Sequence, residues 1–203
     1  GTENIMYLFN CWFGRQIDIN SLRNYWQPGL EGIQQFNFNY NYHDNPFFNV
    51  YENTNSQDMD RIIGNITLSY QLTDWLKFQA RTQTDFQSEI RERRRAFSTQ
   101  RFPFGSFRRE NVNTLERNTD LLFLVDKTIN KDLSFNATFG GNQRSNSFDY
   151  IDVFAGQLTV PGVFSLNNSR VPVEYAQNKS NRKINSIFGS AQFTYRNYLS
   201  LEV

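Results

Sequence analysis

The sequence predicts an all-β protein of the outer-membrane barrel kind, an antiparallel sheet of hairpins with short turns at one end and long connections at the other. Three observations lead there. Three short turns, Leu72-Thr73-Asp74-Trp75, Asn130-Lys131-Asp132 and Tyr195-Arg196-Asn197-Tyr198, each join two segments in which apolar and polar residues alternate. The connections at the other ends of those segments are long and polar, with loops expected after Phe86, Phe139 and Leu158. The apolar rows also match a bilayer. A strand rising ~3.3 Å per residue and tilted by ~45° gains roughly 2.3 Å of height per residue, so a band of ~25 Å takes about 11 residues. Counted from Trp75 the row ends near Phe86, and Glu89, Arg91, Glu92, Arg93, Arg94 and Arg95 follow at once. Charge gives way to apolar residues after Arg117 and Asp120, a similar height from Asn130.

In chain order, residues 1–60 differ from the rest and read as a loop with a short helix and an extended aromatic-Asn segment. A helix is expected over Asp18 to Trp26, with Asp18 or Asn20 as N-cap and Pro28-Gly29 as the stop. Phe36-Asn37-Phe38-Asn39-Tyr40-Asn41-Tyr42 alternates ring and amide at period two, which predicts an extended segment, broken by Asp44-Asn45-Pro46. Residues 61–203 read as transmembrane hairpins. Ile62, Gly64, Ile66, Leu68, Tyr70 and Leu72 share one face, with Arg61, Asn65, Thr67, Ser69 and Gln71 opposite. After the turn, Leu76, Phe78, Ala80, Thr82, Thr84 and Phe86 oppose Lys77, Gln79, Arg81, Gln83, Asp85 and Gln87. A third strand runs through Leu121, Phe123 and Val125, although Leu122 and Leu124 blur it. The fourth sets Leu133, Phe135, Ala137 and Phe139 against Ser134, Asn136 and Thr138. The fifth sets Ile187, Gly189, Ala191, Phe193 and Tyr195 against Ser186, Ser190, Gln192 and Thr194, and a sixth begins at Leu199, Leu201 and Val203.

Composition bounds the function. The 203 residues have a net charge of +1 and a mean hydropathy of -0.63, with no run of eighteen apolar residues, so a membrane-spanning helix is excluded and a spanning barrel is not. Aromatic residues make up 16%, a share that suits a lipid-facing band with interfacial girdles and equally a β-sandwich core. Cys11, the single cysteine, lies in an apolar stretch and is expected to pack as a small hydrophobe. The chain carries no signal peptide, so an exported protein would have its leader upstream of Gly1 or already removed. The run Arg91-Glu92-Arg93-Arg94-Arg95, with Arg101, Arg108 and Arg109, reads as a solvated loop able to meet lipid phosphates. A balanced net charge argues against nucleic acid.

Catalytic chemistry is not expected. P-loop, G-x-G-x-x-G, C-x-x-C and G-x-S-x-G patterns are all missing, and one histidine, His43, makes a multi-His metal site impossible. No cofactor is called for. Sequons at Asn65, Asn136, Asn167 and Asn178 reflect asparagine richness, since two fall inside strands. The candidate binding residues are Phe38, Asn39, Tyr40, Asn41, Tyr42, His43 and Asp44. Rings stack on sugar faces while amides bond hydroxyls, so this stretch suits a carbohydrate-handling surface. It suits equally well a packing face for a plug or loop, with His43 in a hydrogen-bonding turn.

Several stretches resemble the SusC/RagA family of TonB-dependent outer-membrane transporters from Bacteroidetes. They are Trp12-Phe13-Gly14-Arg15-Gln16-Ile17-Asp18, Tyr40-Asn41-Tyr42-His43-Asp44-Asn45-Pro46-Phe47, Tyr51-Glu52-Asn53-Thr54-Asn55 and Leu72-Thr73-Asp74-Trp75-Leu76. Phe139-Gly140-Gly141-Asn142, Val160-Pro161-Gly162-Val163-Phe164-Ser165-Leu166 and Lys183-Ile184-Asn185-Ser186-Ile187-Phe188-Gly189 complete them, in family order and with hairpin spacing. The resemblance implies a middle portion, about six strands, of a plugged 22-stranded barrel. It implies import of oligosaccharides or peptides, a SusD-like surface lipoprotein as lid, and TonB acting through a plug that these residues do not include. The surroundings would be the lipid and lipopolysaccharide of a bacterial outer membrane. Two other readings stand beside it: a SusC-like barrel used as a structural or assembly subunit, and a soluble carbohydrate-binding β-sandwich.

Overall fold

Alternation at period two, clearest beside the short turns, runs through six antiparallel strands in one sheet, ordered as in the chain. The computed structural model describes residues 4–11, 13–196 and 198–203. Trp12, which opens one family-like stretch, and Asn197 of the third turn lie outside the described residues. A helix α1 (Ile5–Cys11) and α2 (Pro46–Tyr51) precede β1 (Asn55–Thr73), β2 (Leu76–Thr99), β3 (Phe102–Asn130), β4 (Leu133–Ala155), β5 (Glu174–Tyr195) and β6 (Leu199–Glu202). No helix among the described residues is long and apolar enough to cross a membrane.

Contacts divide the chain into two compact units. The first gathers Gly1–Met59, Glu89–Asn111 and Tyr150–Gln177; the second gathers Asp60–Ser88, Val112–Asp149 and Asn178–Val203. In the second unit the predicted alternation becomes a two-faced sheet. Ile62, Ile66, Leu68 and Tyr70 are all exposed, and Ile187 is exposed by 82%. Rings on this face pair across strands: Phe78 with Phe123 at 5.3 Å between centroids, and Phe135 with Phe193 at 4.6 Å. The β5–β6 register sets like against like, Phe193 opposite Leu201 and Tyr195 opposite Leu199, with Thr194 opposite Ser200. No second sheet covers the apolar row among the described residues, as a sandwich would require. The fold is that of a β-barrel portion.

The three short turns are where the sequence places them. Asp132 donates its backbone N–H to Asn130 Oδ1 (2.9 Å), and Lys127 Nζ lies 4.9 Å from the centroid of the Trp75 ring. Arg196, at φ 50°, ties two turns together through its backbone N–H to Asp132 O (2.7 Å) and its guanidinium to the Asp132 carboxylate (3.0 Å).

The long loops are corrected in two places of three. After Phe86 the chain does not leave the sheet: β2 continues to Thr99, and a two-residue turn, Gln100-Arg101, leads into the 29 residues of β3. After Phe139, β4 likewise runs on to Ala155. Past the bilayer-matched row neither face must be apolar, so alternation fades while backbone pairing persists. Of the three, the connection after Leu158 is a true loop, irregular apart from a short 3-10 helix, Leu166–Asn168, and an isolated bridge between Leu158 and Ser169.

In the first unit that loop packs down. Leu158 joins Phe107 and Ala155 in a small buried core, against which Phe97, Phe164 and Leu166 pack. Gly105, at φ 64°, makes this possible: a Cβ there would stand 2.7 Å from Arg95 O and 3.3 Å from Leu158 Cδ1. Two expectations in this unit are corrected. The helix expected over Asp18 to Trp26 shrinks to a 3-10 turn, Ile19–Leu22, capped by Asp18, because Trp26 bridges to Gln35 instead. Cys11 is exposed rather than packed: a helix of seven residues has two turns and leaves one face in solvent.

Candidate functional site

The aromatic-Asn stretch is not an extended strand. It folds into bends and turns, because its asparagines bond their own neighbourhood: Asn39 Oδ1 accepts from the backbone N–H of Asn41 (3.0 Å) and Tyr42 (3.2 Å). Asn37 donates to the carbonyls of Asn39 (2.9 Å) and His43, and its own N–H bonds the Tyr40 hydroxyl oxygen (3.1 Å). Local side-chain bonding of this kind competes with a sheet ladder and here wins.

The candidate residues separate into two groups. His43 and Asp44 are buried, together with Gln35, Asn37 and Asn45. Asp44 Oδ1 accepts from Gln35 Nε2 (2.7 Å) and from the backbone N–H of Gln100 (2.8 Å), which ties the stretch to the β2–β3 turn. Asn45 donates through Nδ2 to the carbonyls of Leu22 (2.9 Å) and Phe36 (2.8 Å), and its Oδ1 caps α2 at Phe47 N (2.8 Å), with Pro46 at the first helical position. Burial pushes the His43 imidazole below its ordinary value, an effect that neighbouring Asp44 opposes. Tyr25, raised to about 12 by burial and by its hydrogen bond to Glu52 (2.9 Å), belongs to the same framework, stacked on Tyr51 and edge-on to Phe48.

The second group faces solvent. Tyr40, Asn41 and Tyr42 are exposed, Tyr42 by 57%, while Phe38 and Asn39 are half-buried, with Phe38 edge-on to Phe13 at 5.4 Å. Tyr40 is held by Gln27 Nε2 (2.8 Å), and Gln100 Nε2 bonds Asn41 O. The stretch thus presents two phenol rings and an amide on a rigid base. His43 and Asp44 are the base and not the presented surface.

Sequence reading missed a second location, on the polar face of the second unit. Cross-strand ion pairs run over it. Arg61 holds Asp85 in a bidentate pair (2.9 and 2.6 Å), Arg81 holds Asp120 (2.8 and 2.6 Å), and Arg144 reaches Glu116 (2.9 Å). Asn142 Nδ2 bridges Asn118 (2.8 Å) and Asp120 (2.6 Å). Among these pairs lies a cleft of about 400 Å³, lined from β2 by Asp85 and Gln87, from β3 by Thr114 and Glu116, from β4 by Asn146 and Phe148, and from β5 by Ser180 and Arg182. These eight share the parity of their strands' polar row, and Leu115 and Ser147, of the opposite parity, complete the lining. Of these residues, Asp85 and Gln87 lie in a polar row that the sequence marks; the registers that bring four strands to one level leave no mark in it.

No family model matches the sequence, and no curated relative matches it. Solved structures do match in fold. The chain is similar to a structure of the RagAB peptide transporter, with a TM-score of 0.71 and 12% identity over 79% of this chain and 18% of that one. It is similar also to the RagAB peptide importer in its "open-open" state (TM-score 0.64, 13% identity) and "closed-closed" state (TM-score 0.65, 13% identity), again over 79% of this chain and 18% of theirs. At such identities the likeness is one of fold, and the chain spans about a fifth of the length of the chains it matches.

Proposed function

We propose that this chain is part of a TonB-dependent active transporter of a bacterial outer membrane, of the SusC/RagA kind, importing peptides or oligosaccharides without catalysis. The observation that carries this reading is the two-faced sheet: an uncovered apolar row on one side, and on the other a ladder of ion pairs and amides suited to a polar lumen. The fold likeness to RagAB supports it. In this reading the chain supplies wall strands, a SusD-like lipoprotein closes over the mouth, and TonB acts through a plug contributed by other residues. The exposed Tyr40, Asn41 and Tyr42 offer cargo or lid a stacking and hydrogen-bonding surface. Arg94 and Arg109, both beside Glu92, would in this reading offer guanidinium groups to lipid phosphates. The deciding experiment is uptake of labelled peptides and oligosaccharides by cells with and without the full gene, each with TonB intact or removed. Uptake that depends on both genes is expected. A barrel that assembles normally but whose deletion leaves all uptake unchanged would sink the transport reading and favour an assembly role.

A further inference from the structure

The polar-face cleft has a chemistry more specific than a wet wall. Both of its carboxylates are already engaged: Asp85 by Arg61 through two hydrogen bonds, and Glu116 by Arg144. Those arginines come from positions flanking the cleft, so the acids present neutralised groups to its interior. Arg182 is different. It lines the cleft from β5, is exposed, and forms no ion pair with any described residue. Three guanidinium groups therefore answer two carboxylates, and the excess positive charge sits at Arg182. Around it stand hydroxyls and amides, Thr114 and Asn146 among them, with the Phe148 ring as an apolar wall. A volume of about 400 Å³ lies within the ordinary range for small-ligand sites.

We infer that this cleft is a carboxylate-binding subsite for cargo, with Arg182 as its anchoring cation. This rests on the transport reading for the word cargo, but the recognition itself follows from the geometry. A planar guanidinium offers a carboxylate two parallel donors, and neighbouring amides and hydroxyls can bond the rest of an extended polar chain. Asp85 and Glu116 discriminate: paired, they do not repel an anion, but a ligand cation would have to compete with Arg61 and Arg144 for them. The subsite should therefore favour acidic over neutral and neutral over basic ligands. The carboxylate could belong to an acidic peptide or to a uronic-acid oligosaccharide, which share this chemistry.

The test uses the full-length protein purified in detergent and two probe pairs. One pair is a hexapeptide containing glutamate and its twin with glutamine; the other is an oligogalacturonate and its methyl ester. Calorimetry should show one acidic member binding about tenfold tighter than its neutral twin, the scale of one charge-assisted contact. Which pair shows the preference names the source of the carboxylate. The preference should vanish in Arg182→Gln and be only partly restored in Arg182→Lys, which keeps the charge but not the paired donors. Ser180→Glu provides a second variant: it keeps Arg182 but supplies an internal carboxylate on the same row of β5, and it too should abolish the preference. Equal affinities within both pairs, or a preference that survives Arg182→Gln and Ser180→Glu, would overturn the inference. Uptake of the neutral twins, measured separately, reports on transport alone, so loss of one conclusion is distinguishable from loss of the other.

Discussion

His43 stands out in the sequence as a candidate binding residue, yet the fold buries its side chain. It is the lone histidine, flanked by rings and amides, and only 2% exposed. Its pKa is lowered by burial, so the fold favours the neutral imidazole while the unfolded chain titrates near 6.5. The stability it contributes is complete above that value and is lost as pH falls through the depressed folded-state value. Imidazole NMR signals from histidine-labelled protein should therefore titrate below 6.5, and the segment from Phe36 to Pro46 should loosen only at more acidic pH. An ordinary or raised titration would refute this account. At Gly105 a different residue-scale argument applies. Alanine there must hold φ 64° and place a Cβ 2.7 Å from Arg95 O, so Gly105→Ala should destabilise by at least ~1–2 kcal/mol. Gly64→Ala, with nothing within 4 Å, should not. Protease sensitivity near Leu158 in the two variants gives the comparison, and equal sensitivity would show that the close approach at Gly105 has no energetic weight.

At the scale of elements, the sequence was most legible where one wholly apolar face imposed a period and least where none did. The rows from Ile62 to Leu72 and from Leu76 to Phe86 were readable because one face must be apolar throughout. Beyond Phe86 charged and polar residues dominate both faces, so the extension of β2 to Thr99 left little periodic trace, and a continuing hairpin read as a loop. The reverse error occurred at Phe36 to Tyr42, where alternation was present but asparagine side chains satisfied the backbone locally. The cleft was barely legible: Asp85 and Gln87 lie in a polar row that alternation marks, but Asn146 and Phe148 fall in a stretch expected to be a loop, and the meeting of four strands at one level depends on register. These strand lengths give a topological prediction. The turns Gln100-Arg101 and Asp74-Trp75 lie at opposite ends of β2. With Cys11 replaced by serine, a cysteine at Arg101 should react with a membrane-impermeant maleimide on intact cells, and one at Asp74 only after the outer membrane is permeabilised. Labelling of both on intact cells would refute a placement of the Asp74-Trp75 turn on the periplasmic side, where barrels of this class put their short turns. The Arg196–Asp132 pair that ties two of those turns is solvent-exposed, so Arg196→Ala should cost under ~1 kcal/mol and leave the labelling pattern intact.

The whole molecule turns on what covers the apolar row. Ile62, Ile66, Leu68 and Tyr70 on β1, Phe139 on β4, Ile187 and Phe193 on β5 and Leu201 on β6 are all exposed, a run of apolar side chains that calls for a covering. Hydrocarbon can cover it, and so could a second sheet, and the two coverings differ in what small molecules reach the row. In lipid, a nitroxide attached along β1 at an even position from Ile62 to Leu72 contacts oxygen dissolved in the bilayer but not a water-soluble nickel chelate. At an odd position, such as Thr67 or Ser69 on the polar face, the chelate has access through a hydrated lumen and oxygen contact drops. The full-length protein in membranes should therefore show an alternation of period two, with the two quenchers exactly out of phase. A second sheet would exclude both reagents from the even row, leaving a single periodic signal from the odd positions. The phase relation is thus independent of any variant's stability and of the cargo, and it separates a membrane wall from a soluble core by the physics of partitioning alone.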